Sequence, residues 1–443
     1  MSSPIARSRK DKVGSPSIQL QKPSEQIVET ISRIYRSGLT TTSGGNISVK
    51  DAEGNIWITP AAVDKGTLHK DDIVCMRPDG SRSGSRQPSS EHPFHKAIYE
   101  VRPDLRAIVH AHPPALVSFA IVRKLPNMNI IPQARRVCGE IGYADYACPG
   151  SEALSVGIAE QFEKGHDAII MENHGTVVGG RDIKEAFVRF ETFNFTAQTI
   201  INASIIGEPA YLTDEQIEIF ESRIPGDLPE MGNVEHSEKE RAIRRNIVSI
   251  VQRSCAQGLM ISSYGNISVR WQGDNFLITP RDMARSEIGL EDIVQIRDGK
   301  REPGKLPSQA ISVHQRIYRQ NPQINSVIST QSSNLMAFGV ARQKVDVRTI
   351  PECWVFLQDI PTLEFGIQYT EPDETARVFG PNRPAVLFEN DGFIVTGDTL
   401  LETFDRLEVA EFSARSLIFG HSLGELVPID EVQMKELHRQ FIS

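Results

Sequence analysis

Four residues in the first half of this chain have the chemistry of a metal-assisted acid–base centre. His110-Ala111-His112 places two imidazoles inside the strand-like run Arg106-Ala107-Ile108-Val109-His110-Ala111-His112. On a strand, residues i and i+2 share a face, so His110 and His112 project side by side and Ala111 turns away. Two imidazoles on one face are half of a common zinc site. His174 suits the third ligand position, because it follows the apolar strand-like run Ala168-Ile169-Ile170-Met171 and precedes Gly175. Three histidines with an open position form the catalytic rather than the structural zinc pattern. Glu91 follows Ser89-Ser90 at the head of a helical segment expected over Ser89–Val101. It adds a carboxylate for general acid–base work beside an oxyanion-stabilising metal.

Each of these residues has a plainer explanation. An HxH pair arises incidentally, and a serine followed by an acid at a helix start is a capping arrangement with a favourable dipole. The chain itself discriminates, because it is written twice. Gly45-Asn46-Ile47-Ser48-Val49 recurs as Gly265-Asn266-Ile267-Ser268-Val269, and Ile58-Thr59-Pro60 as Ile278-Thr279-Pro280, both at an offset of 220. Asp72-Ile73-Val74 returns as Asp292-Ile293-Val294, Pro88-Ser89 as Pro307-Ser308, and Glu172-Asn173 as Glu389-Asn390. A period this long is a whole-domain duplication rather than a solenoid repeat. Within these shared frames His110 and His112 answer to Ser329 and Gln331, His174 to Asp391, and Glu91 to Ala310. The fold therefore does without all four, which marks them as one functional set. Ser329, Gln331 and Asp391 make no convincing ligand set of their own. His95 is matched by His314 and reads as structural, while His69, His92 and His166 have no counterpart and read as exposed or supporting.

The elements that must position these residues follow the same plan in each half. Residues 24–221 form the first unit, 222–236 a Pro/Gly/acid-rich linker, and 237–443 the second unit. Each opens with apolar residues at helical spacing: Ile27, Ile31, Ile34 and Tyr35, then Ile243, Ile247, Ile250 and Val251. Short strands are expected at Asn46–Val49, Ile56–Ile58 and Ile73–Met76, and a long closing helix at Ile183–Ala203. The result is a layered α/β or α+β unit. Residues 1–23 are rich in Ser, Pro, Lys and Arg without an apolar h-region, and read as a disordered tail; an Arg-rich transit segment is the alternative. With 39% hydrophobic and 24% charged residues, the 443-residue chain has material for two cores. A net charge of −9 argues against nucleic acid as a partner, and no apolar run suits a membrane helix. Five scattered cysteines without a CxxC pair fit reduced thiols in a cytoplasmic protein.

Gly45-Asn46-Ile47-Ser48, Ile58-Thr59-Pro60, Pro88-Ser89-Ser90-Glu91, His110-Ala111-His112-Pro113 and Asn173-His174-Gly175, in this order, resemble the class II aldolase/adducin family. The resemblance covers both halves, the second being similar to the family's non-catalytic, adducin-like members. It implies two tandem three-layer αβα domains, each with a central, mostly antiparallel sheet. It also implies a divalent metal, usually zinc, on His110, His112 and His174, with Glu91 as the acid/base that moves a proton at the substrate carbon. The sugar-phosphate members hold a phosphate at the positions occupied here by Gly45, Asn46, Ser89 and Ser90, which suits a helix start. The chain departs from the family at Ala61-Ala62, where a small hydroxyl residue and glycine are usual. Arg135 and Arg136 follow Ile130-Ile131-Pro132, where the fuculose-type enzyme carries a tyrosine, and are candidates to pair with an anion.

The resemblance implies an aldolase-type lyase that cleaves a C–C bond beside a carbonyl in a small sugar phosphate or hydroxy acid, through an enediolate. Decarboxylation of a keto acid is the second enzyme reading; the family also holds epimerases and dehydratases. A non-enzymatic, adducin-like scaffold is the third. Family members form fourfold rings, so the duplication is expected to supply two ring positions per chain, giving a homo-oligomer.

Overall fold

The computed structural model describes residues 21–223, 228–232 and 234–441. Most of the tail expected at 1–23 lies outside the described residues, but the first helix already starts at Pro23. The expected linker overlaps structure too: Ser222 closes a helix, and Glu230 bridges to Arg301. Residues 224–227 and 233 of that linker lie outside the described residues.

The two halves build two sheets of eight strands with the same topology. The first comprises β1 (Asn46–Lys50), β2 (Ile56–Ile58), β3 (Val74–Met76), β4 (Arg82–Ser83), β5 (Ala107–Ala111), β6 (Ile141–Ala144), β7 (Ala168–Met171) and β8 (Gly175–Gly180). They lie in the order β4-β3-β2-β1-β5-β8-β7-β6. Every neighbouring pair is antiparallel except β6 and β7. The second sheet repeats this with β9 (Asn266–Gln272), β10 (Asn275–Ile278), β11 (Val294–Arg297), β12 (Lys300–Arg301), β13 (Ser326–Thr330), β14 (Thr362–Leu363), β15 (Ala385–Phe388) and β16 (Gly392–Gly397).

Helices cover both faces. The first half carries α1 (Pro23–Arg36), α2 (His92–Val101), α3 (Pro114–Ile121), α4 (Pro132–Cys138), α5 (Glu152–Glu163), α6 (Ile183–Ile206) and α7 (Asp214–Ser222). The second carries α8 (Glu238–Ala256), α9 (Ile311–Gln320), α10 (Ser333–Val340), α11 (Pro351–Leu357), α12 (Ile367–Thr370), α13 (Pro372–Val378), α14 (Leu400–Leu423) and α15 (Glu431–Phe441). The longest pair, α6 and α14, begin at Asp182 and Thr399, whose side chains accept from the N–H groups of Glu185 and Glu402. Those contacts satisfy donors that a helix start otherwise leaves unpaired.

The alternation of β1 and β5 sorts their residues between two cores. Ile47, Val49, Ala107, Val109 and Ala111 enter one apolar cluster, with Ile27, Ile31 and Ile34 of α1. Ile108 joins Phe94 and Ile98 of α2 and Phe162 of α5 on the opposite face. The first cluster runs without a break into the second half, taking in Ile247, Leu335 and Phe404. The two units thus share a core instead of hanging on a linker. The junction packs α6 against α10, and Asn202 donates to Asn334 at 3.0 Å across it. Arg33 adds contacts to Ser286 and Ser262, and Gln133 donates to the carbonyl of Ser263 at 3.0 Å. No helix among the described residues is long and apolar enough to cross a membrane.

Candidate metal centre

β5 turns His110 away from the Ala111 side, onto the face covered by α2, where its ring meets Phe94 edge-on at 5.6 Å. The β1–β5 register sets Asn46 opposite His110, and the β5–β8 register sets His110 opposite Val177. Gly45 lets the chain cross this point: it sits at φ +69°, and a Cβ there would stand 2.6 Å from the His110 carbonyl oxygen. His112 lies one residue beyond β5 with its ring 4.8 Å from that of His110. His174 comes from the turn between β7 and β8, entered through Asn173 at φ +54°, and its ring lies 5.0 and 5.1 Å from the other two. Glu91 occupies the N-cap position of α2, which begins at His92, but its side chain makes no capping hydrogen bond and is left for the histidines. The expected start at Ser89 is three residues too early, because Ser89 forms the turn that precedes the helix and accepts from the Glu91 N–H at 3.2 Å.

These elements bring four functional groups to one point. The ring nitrogens of His110, His112 and His174 that face one another lie within 4.8 Å. The Nε2 atoms of His110 and His112 are 3.1 Å apart, and the Glu91 carboxylate reaches Nε2 of His110 at 3.2 Å and of His174 at 3.4 Å. His110 Nδ1 donates to the Thr176 carbonyl at 2.8 Å, which fixes the ring's orientation and turns Nε2 toward His112 and Glu91. Burial, reinforced by charge on His110, pushes His112 down to about 3 and His174 to about 4, so both are neutral donors at neutral pH. Burial alone would raise the Glu91 carboxyl, but His110, then His174 and the Asn46 amide, hold it well below the usual carboxylate range.

This donor set fits a divalent cation. Nitrogen ligands about 2.0–2.1 Å from a tetrahedral zinc stand about 3.3 Å from each other, close to the 3.1 Å seen between His110 and His112. His174 Nδ1 and Glu91 Oε1 are buried without a hydrogen-bond partner among the described residues. Such polar crowding is costly unless a charge compensates it.

A buried relay holds the carboxylate. Asn46 Nδ2 donates to Glu91 Oε2 at 2.7 Å, while Asn46 Oδ1 accepts from His95 Nε2 at 2.5 Å. His95 Nδ1 meets the Ser48 hydroxyl at 2.7 Å, and that hydroxyl meets Tyr99 at 2.9 Å. Burial keeps His95 neutral, so a single ring N–H serves Asn46 and thereby orients its amide. His95 is structural, as its recurrence suggests, yet in the first copy the structure also leads to Glu91. The loop before Gly45 was missed by sequence reasoning. A Cβ on Gly44 would lie 3.1 Å from His112 Nδ1, and Thr40 Oγ1 is buried nearby without a partner among the described residues. A signal existed: Thr40, Thr41 and Gly44 answer to Met260, Ile261 and Tyr264.

The corresponding place in the second copy is filled differently. Tyr264 Oη lies 3.0 Å from the Cβ position of Gly392, whereas the His112 ring crowds the equivalent Gly175. Asp391, at the His174 position, accepts from Tyr369 at 2.6 Å and from Gln368, and its backbone carbonyl accepts from Gln331. His314 turns to Ser329 at 2.8 Å, leaving Asn266 Oδ1 buried without a partner among the described residues. Glu172 and Glu389 hold Arg123 and Arg342 at 2.7 and 3.2 Å, so that carboxylate serves the frame in both copies.

Of the remaining candidates, Ser90 is exposed beside Glu91, and Ala62 occupies the left-handed region at φ +53° where the family's glycine would be relaxed. Arg135 and Arg136 lie in the last turn of α4, the first half-buried and the second exposed. Arg135 approaches Glu140 at 3.4 Å, and Arg136 turns into a cavity of the second copy.

The family model described as "Class II Aldolase and Adducin N-terminal domain" matches residues 25–201 and again 245–418. The chain is 32% identical over 210 residues to a 5-deoxy-D-ribulose 1-phosphate aldolase of Bacillus thuringiensis, covering 47% of this chain and 97% of that protein. It is 30% identical over 205 residues to a 3-oxo-tetronate 4-phosphate decarboxylase of Haemophilus influenzae, covering 45% and 96%. Among solved structures, an L-fuculose 1-phosphate aldolase is 31% identical with a TM-score of 0.42, covering 46% of this chain and 95% of that one.

Proposed function

From the premise that the chain belongs to the class II aldolase and adducin family, with two copies of its domain, we propose that the first copy is a metal-dependent lyase. It breaks a carbon–carbon bond beside the carbonyl of a small sugar phosphate or hydroxy acid. The observation that carries this reading is the convergence of His110, His112, His174 and Glu91 at one point of a fold whose second copy lacks all four. The identity with a sugar-phosphate aldolase supports the substrate class.

His110, His112 and His174 would hold the cation, zinc by ligand type. A divalent cation supplies an electrophile that draws charge onto the substrate's carbonyl oxygen. The protein's own part is positioning and proton movement. Glu91, ionised and fixed by Asn46, takes the proton of the hydroxyl on the departing carbon, which leaves as an aldehyde. The electron pair of the broken bond stays on the carbon beside the carbonyl, as an enediolate, and Glu91 returns the proton to that carbon. For an anionic end of the substrate, the reading uses the Gly45 backbone and Ser90 hydroxyl. The side chains of Asn46 and Ser89 are already engaged with Glu91, and the Ser89 N–H donates to the Thr59 carbonyl at 3.1 Å, so in this reading these two residues position the acid and the anion falls to Gly45 and Ser90. The Thr40 hydroxyl adds a donor on the same side.

The second reading, decarboxylation of a keto acid at the same centre, is favoured by the 30% identity with a 3-oxo-tetronate 4-phosphate decarboxylase. Metal-loaded protein assayed on a panel of ketose phosphates and keto acids separates the two. Aldehyde release supports the lyase proposal; CO2 release without aldehyde replaces it by the decarboxylase; neither product, with no bound metal, leaves the scaffold.

The ring of domains is part of the same proposal, and equivalent positions in the two copies support it. Phe195 of α6 is 6% exposed against the second unit, while its counterpart Phe412 of α14 is 62% exposed. Val340 of α10 is fully buried, while its counterpart Ile121 of α3 is 56% exposed. Asn390 donates to the carbonyls of Ile130 and Ala210 in the other unit, at 2.7 Å each, while Asn173 is exposed. Within the chain, one head-to-tail contact is made and its two complementary faces stay open. A second chain joined by the same contact closes a ring of four domains.

A further inference from the structure

The second copy carries a cavity of about 480 Å³ where the first has its histidines, a size suited to a small ligand. Its walls hold Arg136, Arg223, Arg281 and Arg285. None of these four makes an ion pair with a carboxylate among the described residues. Arg136 projects from α4 of the first unit, and the loss of solvent around its guanidinium, then the charge of Arg223, pushes it below its ordinary value against the pull of Asp282 and Glu221. Arg223 is held by Gln309 at 2.8 and 3.1 Å and lies 3.3 Å from the centre of the Phe220 ring. Arg281 stands at the position of Ala61, and Arg136 at that of Val355 on α11, so neither is demanded by the frame. Arg285 donates to the Pro280 carbonyl, as Lys65 does to Pro60 in the first copy, but its buried Nε finds no partner among the described residues.

The acids that act on them, Asp282, Glu221 and Asp391, are three against four arginines. Asp391 and Asn266 each keep one buried oxygen without a hydrogen-bond partner among the described residues. A cavity with excess guanidinium on one side and free acceptors on the other matches an anion that also bears hydroxyl groups. We propose that this cavity binds a small hydroxylated anion, a phosphate or carboxylate ester or acid of a polyol, with Arg136, Arg223 and Arg281 on the anionic group and Asn266 and Asp391 on the hydroxyls. The second copy has then exchanged metal chemistry for ligand binding across the junction of the two units.

The test is calorimetric titration of the full-length protein with glycerol 3-phosphate, glycerate and inorganic phosphate. One binding class per chain is expected to weaken by roughly tenfold or more in Arg136→Ala and in Arg281→Ala. It is expected to persist in Lys124→Ala, which removes an exposed charge elsewhere, and in His110→Ala with His112→Ala, which separates it from the proposed lyase centre. Ala61 and Val355 at the equivalent positions show that the fold accepts small or apolar side chains there; circular dichroism verifies folding of both variants. Preference for glycerol 3-phosphate or for glycerate supports the proposal and names the anionic group. No binding of any probe at millimolar concentration, or unchanged binding in the two arginine variants, overturns it. Inorganic phosphate binding as tightly as glycerol 3-phosphate overturns the part played by Asn266 and Asp391.

Discussion

The two copies place the same backbone around the same point and put different chemistry there. In the first, three imidazoles and a carboxylate crowd together, held by the Thr176 carbonyl and by Asn46. In the second, Tyr264 lies against the glycine that His112 abuts in the first, and Asp391 is absorbed by Tyr369 and Gln368. The Ser48–His95–Tyr99 cluster recurs as Ser268–His314–Tyr318. The sheet, its helices and that buried polar cluster are therefore properties of the fold. The difference lies in a few side chains, and it isolates them as carriers of function more sharply than their geometry alone does.

Several substitutions sharpen or break that contrast. The largest effect is expected for Glu91→Ala, which gives the first copy the residue of the second. The turnover number should fall by about 10²–10⁴-fold, with folding intact by circular dichroism, because Ala310 already stands in the same turn. Next comes the matched pair Asn46→Ala and Asn266→Ala. Removing Asn46 frees Glu91 and should cost about 10–100-fold in turnover, while Asn266 orients no acid and its removal should leave turnover unchanged. Comparable losses from the two would dissolve the asymmetry. The pair Phe412→Asp and Phe195→Asp addresses assembly. The first should halve the mass seen by light scattering while leaving the chain folded; the second should unfold it, since Phe195 lies within the shared core. A monomeric wild type would break the ring proposal. The smallest effect is Ala62→Gly, which relieves a left-handed alanine and should raise stability by about 1 kcal/mol, a rise of about 2 °C in melting temperature.

Much of this was legible in the residues. The alternation of a strand placed His110 and His112 on one face and Ala111 in the core, and the duplication set Glu91 beside them. Helical spacing of Ile27, Ile31 and Ile34 located α1, because burial of one face imposes that period. What escaped depends on tertiary packing. The direction of α4, hence the turn of Arg136 into the other unit's cavity, is set by what α4 lies against and not by its own seven residues. The start of α2 at His92 escaped because the Glu91 N–H donates to Ser89 Oγ in a turn that sequence alone does not distinguish from a cap. His95 was legible as structural, but its link to Asn46 needed the β1–α2 approach that only the folded sheet provides.

The central claim is that the first copy holds a cation and the second does not. Metal analysis of the purified full-length protein tests it, beside a variant in which His110→Ser, His112→Gln and His174→Asp convert the first site into the second. The account predicts one divalent metal per chain in the wild type and none in the variant, with both chains folded. Equal metal content in the two would contradict it.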